Sequence, residues 1–340
     1  MSINLVRALI LFGAFGLSLS SAEAKTLDGI AIESAQFLGV NPDDSEIDAL
    51  VVKTQILLDR AGFSPGEIDG KLGENVEKAL RAYAEANGLP STMTLNHDVF
   101  ERLTANMNGS LLVEITVTED DVKGPFLPRQ PKGLDGMKGL KRLAYRDAKE
   151  ALAERHHMSE ALLAALNPHA EFSQAGTTLM VANVLKAKPS TMVTRIEVNK
   201  DLQTIKAFSE DNALVAFYPA TVGSEEKPSP SGTLKVLAVR SNPFYRYNPD
   251  YKFKGVRARR AFTINPGPNN PVGSTWIALS EPGYGIHGTS EPSKVSKAES
   301  NGCVRLTNWD AAHLARMVKK GVTVEFREGA DSQVNARPAK

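Results

Sequence analysis

Cysteine is almost missing from this sequence: Cys303 is the only one in 340 residues. A single cysteine cannot close an internal disulfide, so no disulfide framework holds the fold. In an exported chain it points instead to a free, reactive thiol. Long apolar runs are missing too. The N-terminal run from Ala8 to about Leu17 is well short of the ~20 residues that span a bilayer, and no other run is apolar enough. It follows Arg7 and precedes Ala22-Glu23-Ala24, a small-x-small cleavage pattern. Residues 1–24 therefore read as a secretory signal peptide cut after Ala24, which predicts an exported, periplasmic protein. No cysteine lies near the cut, so lipoprotein anchoring there is excluded. Charge of one sign is also lacking. Forty basic residues against 39 acidic ones give +1, which argues against a strongly basic nucleic-acid binder. The length left after the leader suggests two or three domains.

The chemistry is concentrated in residues 284–310, YGIHGTSEPSKVSKAESNGCVRLTNWD. A thiolate is a strong nucleophile, but a free cysteine has a pKa of about 8.5. An imidazole nearby can take the proton and later return it to a leaving amine. His287 lies sixteen residues before Cys303, too far for local helix geometry. A strand ending at His287, a loop and a return at Cys303 would bring them together. Gly302 lets a carbonyl approach the backbone closely, and N–H groups around Cys303 could hold a developing oxyanion.

The same residues carry a family resemblance. His287-Gly288-Thr289, Pro292 to Val295, Ser300-Asn301-Gly302-Cys303-Val304-Arg305-Leu306 and Asn308-Trp309-Asp310-Ala311 resemble the signature of L,D-transpeptidases with a YkuD-type catalytic domain. Two positions depart from it. The family usually has His where this chain has Asn301, and often Gly where it has Ser296. Neither removes the nucleophile or its base, though Asn301 could alter substrate preference.

Residues 190–328 form the expected catalytic domain. Ile196 and Val198, Leu234 and Val236, and the runs 213–222, 261–264, 274–280 and 322–326 read as strands. One late helix is expected from about Asp310 to Lys320, with Asn308 as its cap and Gly321 as its stop. The segment PSPSGTLKV (228–236) looks like a strand entry of the same family, whose β-rich, sandwich-like fold the resemblance implies.

Residues 44–104 read as a small three-helix module. Leu50, Val51, Leu57 and Leu58, then Val76, Ala79, Leu80 and Tyr83, then Val99, Phe100 and Leu103 recur at helical spacing. Gln55, Leu58, Gly66, Asp69, Gly70 and Gly73 resemble the core and turn of a peptidoglycan-binding module. In residues 111–188 we expect a strand near 112–117, a long Pro/Gly-rich loop over 124–139 and a helix around Ala148. A second helix capped by Ser159 and a strand at 178–181 follow. The later part resembles a degenerate LysM unit, a βααβ glycan binder. His156 and His157 are adjacent and do not share a helix face; they read as solvent-facing, with no metal site. The tail, 329–340, is polar. The whole is a multidomain α+β chain.

The resemblance implies a mechanism without metal or cofactor. Cys303 attacks the carbonyl between an L-centre residue and a terminal D-alanine of a peptidoglycan stem peptide. His287, oriented by the Gly288 carbonyl, moves the proton, and N–H groups at Gly302 and Cys303 hold the oxyanion. A side-chain amine of a second stem peptide then takes the acyl group, giving a 3→3 cross-link. Arg305 either receives a substrate carboxylate or pins the loop behind Cys303. Tyr284 and Trp309 read as packing residues. The motif leaves open an L,D-carboxypeptidase and an enzyme that attaches an outer-membrane protein to murein. A non-catalytic wall-binding protein is disfavoured by the intact His287 and Cys303. A papain-like hydrolase is disfavoured because the His precedes a late Cys.

Overall fold

A computed structural model describes residues 27–184, 191–223, 228–251, 256–297 and 302–329. The expected signal peptide, Ser300, Asn301 and nearly all of the polar tail lie outside the described residues.

The first helices are α1 (Gly29–Ser34), α2 (Ala49–Arg60), α3 (Glu74–Ala86) and α4 (His97–Ala105). Asp48 caps α2 by accepting from the N–H groups of Leu50 and Val51, and Asn96 caps α4 through Val99. The turn between α2 and α3 is tied to Gln55. Its Nε2 donates to Asp69 Oδ1 at 2.8 Å and its Oε1 accepts from Gly70 N at 2.8 Å. Gly70 has φ +75, and a Cβ there would sit 2.6 Å from Ile47 Cγ2, so this turn position needs glycine.

A two-stranded sheet with four helices between its strands follows. Strand β1 (Leu112–Thr116) pairs antiparallel with β2 (Thr178–Ala182). Between them run α5 (Glu119–Lys123), α6 (Gly133–Met137), α7 (Ala148–Arg155) and α8 (Glu160–Leu166). Helix α6 falls in the passage expected to be all loop. It is a single short turn, which Pro- and Gly-rich neighbours hid from a reading of periodicity. Ile56, Leu58 and Leu80 of the helical module and Leu152, Leu162 and Val181 of this second unit belong to one hydrophobic core.

The two histidines depart from expectation. His156 is buried, with Nδ1 3.0 Å from the Ala182 carbonyl. His157 has φ +57, stacks on Trp309 with ring centroids 5.2 Å apart, and places Nδ1 2.9 Å from Asp59 Oδ2. Helix α7 ends at Arg155, so the chain turns inward at the point where a continued helix would have shown them to solvent.

The C-terminal domain is built on β3 (Arg195–Asn199), β4 (Thr204–Phe208), β5 (Leu214–Pro219), β6 (Thr221–Val222), β7 (Gly232–Ser241), β10 (Thr275–Leu279), β11 (Gly285–His287), β12 (Val304–Arg305) and β13 (Thr323–Arg327). A small separate hairpin joins β8 (Tyr245–Tyr247) to β9 (Phe262–Ile264). The large sheet runs in the order β5-β4-β3-β13-β7-β10-β11-β12-β6. Its two edges, β5 and β6, are successive pieces of one run, so the sheet curls round on itself. Its core includes Ile196, Val236, Ile277, Ile286, Val304 and Leu314.

Helix α9 (Asn308–Met317) begins two residues earlier than expected and stops three earlier. Thr307, not Asn308, is the cap: its Oγ1 accepts from Asp310 N at 3.1 Å. The Asn308 side chain is engaged elsewhere, with Oδ1 taking the Ser274 N–H and Nδ2 donating to Glu154.

Strand β5 joins the two halves. Ala216 and Tyr218 face the sheet's own core, while Phe217, 2 % exposed, enters the core of the helical module. This is the two-residue alternation of a strand serving two cores at once. Around Phe217 the backbones pair, with Ser64 N donating to Phe217 O at 2.9 Å and Phe217 N to Gly62 O at 3.0 Å. Ser64 Oγ adds a hydrogen bond to Asp310 Oδ2 at 2.8 Å.

Candidate active site

One row of side chains crosses the curled sheet. Arg240 on β7 lies opposite Trp276 on β10, Trp276 opposite His287 on β11, His287 opposite Arg305 on β12, and Arg305 opposite Thr221 on β6. Directly opposed residues share a face. Strands β11 and β12 run parallel, pairing Ile286 with Val304 and His287 with Arg305. Extending that register by one residue sets Cys303 opposite Gly285. Cys303 then lies on the His287 face, diagonal to it. The expected strand ending at His287 and the return beside it at Cys303 are present.

His287 is buried, and its orientation is fixed on two sides. Nδ1 is 2.6 Å from the Gly288 carbonyl. A carbonyl only accepts, so Nδ1 carries the proton and Nε2 keeps its lone pair. The ring stacks on Trp276, with centroids 5.5 Å apart at 15°. Trp276 in turn lies over Gly285, where a Cβ would meet three of its ring atoms at 2.4 to 2.7 Å. Gly288 is also needed for packing, because a Cβ there would come within 2.2 Å of Asn308 Oδ1.

Burial pushes the His287 imidazole down to about 3, and the charge of Arg305 works in the same direction. Burial also raises the Cys303 thiol; the Gly285 backbone and Arg305 oppose this without reversing it. The thiol donates to the Gly283 carbonyl at 3.6 Å. At neutral pH the pair rests as thiol and imidazole, both uncharged. Arg305 Nε is buried without a hydrogen-bond partner, and burial lowers the guanidinium from its ordinary value, opposed by Glu291.

The loop around the thiol is held from beneath. Gly302 has φ +93, the left-handed region, and its carbonyl accepts from Ser229 Oγ at 2.8 Å. Ser296, where the resembled family often has glycine, has φ +66. The glycine preference at that position thus has a conformational reason.

These positions coincide with a family. A model described as the L,D-transpeptidase catalytic domain, YkuD type, matches residues 193–326. Residues 193–326 are an L,D-transpeptidase catalytic domain. A peptidoglycan-binding domain model matches residues 48–103. The chain is 29 % identical over 179 residues to a Bacillus licheniformis protein named as an L,D-transpeptidase, YkuD, covering 52 % of this chain and 92 % of that one. It is 26 % identical over 184 residues to an L,D-transpeptidase-named protein of Escherichia coli, YbiS, covering 59 % of that protein. Among solved structures, L,D-transpeptidase 3 from Mycobacterium tuberculosis is 16 % identical over 44 % of this chain and 68 % of that one, with a TM-score of 0.33.

An L,D-transpeptidase domain is a cysteine-dependent acyltransferase, and Cys303 is the chain's only cysteine. The geometry gathers His287, Gly288, Gly302, Cys303 and Arg305 of the expected set. Trp309 lies 8 % exposed at the start of α9, on a cavity of about 290 Å³ that it shares with Tyr145, Glu154, His157 and His313. Sequence reasoning missed Trp276 and Ser229. A tryptophan one strand before YGIHGT was a signal for the first. For Ser229 only the PSPSG motif stood out, with nothing to say what its hydroxyl touches. Among the described residues, no group of three or more His, Cys, Asp or Glu side chains could hold a metal ion.

Proposed function

We propose that this L,D-transpeptidase joins peptidoglycan stem peptides through a thioester on Cys303, with His287 as the base. The observation that carries the roles is the parallel register of β11 and β12 together with the His287 Nδ1 bond to Gly288. It leaves Nε2 as the acceptor on the face that Cys303 shares.

The chemistry then follows in order. The Cys303 sulfur attacks the carbonyl before the terminal D-alanine while its proton passes to His287 Nε2. The resting pair is uncharged, so proton transfer accompanies attack rather than preceding it. Negative charge gathers on the carbonyl oxygen, where the N–H groups of Gly302 and Cys303 and the positive field of Arg305 offset it. As the C–N bond breaks, the imidazolium returns its proton to the departing amine. The thioester keeps the acyl group activated, so an amine of a second stem peptide attacks it without ATP: the C–S bond breaks as the new amide forms, the amine's proton passes through His287 to the released sulfur, and a 3→3 cross-link results. Arg305, unpartnered at Nε beside this site, is suited to a substrate carboxylate.

Domains that act on peptidoglycan set the protein at the cell wall, outside the cytoplasm. We further assign it to the periplasm, on the leader pattern of residues 1–24. No helix among the described residues is long and apolar enough to cross a membrane. The antiparallel pairing of β1 with β2, with α7 and α8 leading into β2, supports a LysM-like role in holding glycan.

The test is acylation. A carbapenem should add covalently to Cys303 in the full chain and leave Cys303→Ala unmodified. An unmodified wild-type chain would overturn the assignment.

A further inference from the structure

The segment that joins His287 to Cys303 is not held by the catalytic domain alone. Helix α3 of the helical module reaches it twice. Asn75 Nδ2 donates to the Val295 carbonyl at 3.2 Å, and Lys78 Nζ donates to Ser296 Oγ at 2.8 Å. The Lys78 side chain is only 10 % exposed, and its other partner is Glu74 Oε1 at 2.7 Å. An ammonium so enclosed, with two acceptors, gives a charge-assisted bond rather than a loose surface contact.

The contact falls at a strained point. Ser296 has φ +66, a conformation that costs a side-chain-bearing residue free energy and persists only where its surroundings impose it. Here they do so from both sides. Ser296 N donates to Thr221 Oγ1 at 2.9 Å, and Thr221 is fully buried. Thr221 is the ladder partner of Arg305, two residues past Cys303. A continuous set of contacts therefore runs from α3 through Ser296 and Thr221 to β12, the strand that begins next to Cys303.

We propose that Lys78, seconded by Asn75, is a positioning residue for the reaction: the helical module braces the segment between base and nucleophile through Ser296. The module then has a mechanical part in catalysis, separate from any hold it has on the wall. This rests on Cys303 being the nucleophile. Small displacements at a reacting centre cost rate heavily, so loosening the brace should slow acylation while leaving the fold intact.

The test uses the full chain, the rate of carbapenem addition to Cys303 read by mass, and the melting temperature. Lys78→Ala should slow acylation by about tenfold, with Tm lowered by only a few degrees, and Lys78→Arg should recover most of the rate. Lys78→Met keeps the stem packed and serves if the alanine variant fails to fold. The deciding measurement is a double-mutant cycle. Once Ser296→Gly has removed the acceptor hydroxyl, Lys78→Ala should cost nothing further. Wild-type rates in Lys78→Ala and Lys78→Met, or equal slowing in both Ser296 backgrounds, would overturn the brace while leaving the nucleophile standing. No adduct on the wild-type chain would overturn both together.

Discussion

Substituting Gly285 by alanine tests whether Trp276 fixes the His287 ring. The backbone at Gly285 is not in the left-handed region, so alanine brings no conformational penalty of its own. The added Cβ would lie 2.4 Å from Trp276 Cζ2, 2.6 Å from Cε2 and 2.7 Å from Cη2. Carbon atoms rest at about 3.5–4.0 Å, so the indole must retreat by about 1 Å. It cannot do so without leaving His287, on which it is stacked. Overpacking of this kind costs about 1–3 kcal/mol of stability. A shift of that size at a reacting centre is also worth about a hundredfold in rate. The assay is the rate of carbapenem acylation of Cys303, with Tm measured on the same sample. Gly285→Ala should lose far more rate than its loss of stability explains. In a Trp276→Ala background the clash is gone, and Gly285→Ala should then cost little. Wild-type rate and Tm in Gly285→Ala would refute the reasoning, as would a loss that persists undiminished without the indole.

Other expectations follow from the same contacts. Ser229→Ala leaves the Gly302 carbonyl without its 2.8 Å donor; it should cost about 1–3 kcal/mol in chemical denaturation and slow acylation as well. Alkylation of Cys303 by iodoacetamide should climb steadily from neutral to alkaline pH, because burial raises the thiol and holds His287 down at about 3. A reactive plateau reaching into mildly acidic pH would instead reveal a preformed thiolate–imidazolium pair. Burial raises Glu154, which accepts from Asn308, to about 8. Its folded pKa lies above its unfolded value, so its contribution to stability is complete below about pH 4.5 and is lost as pH rises toward 8. Glu154→Gln should flatten the decline of Tm across that window, and an unchanged decline would contradict it.

Much of the site was legible because it is local in sequence. The residues from His287 to Asn308 carry the family pattern, and the Gly288 carbonyl is the immediate neighbour of the ring it orients. Helices α2, α3, α7 and α8 were readable from apolar spacing, and Ser159 caps α8 where the short-range rule put it. What escaped is long-range. Strand β4 was not singled out: Thr204 and Lys206 blur its pattern, and Lys206 is spent on Glu85 of α3 at 2.8 Å. Trp276 gains its role only through pairing with β11, and Ser229 only by lying under Gly302, 73 positions away. Phe217 looks like one more strand residue until a second core is set beside it. The burial of His156 and the stacking of His157 on Trp309 depend on where α7 ends and on what α9 brings against it. No periodicity in the sequence records either.

The central claim is that this chain cross-links stem peptides through Cys303. The direct measurement is mass spectrometry of the purified protein after incubation with disaccharide-tetrapeptides. We expect a dimer linked between two third-position residues, together with released D-alanine, and neither product from Cys303→Ala. Tripeptide without dimer would make the protein a carboxypeptidase instead, and a dimer formed equally by Cys303→Ala would contradict the account outright.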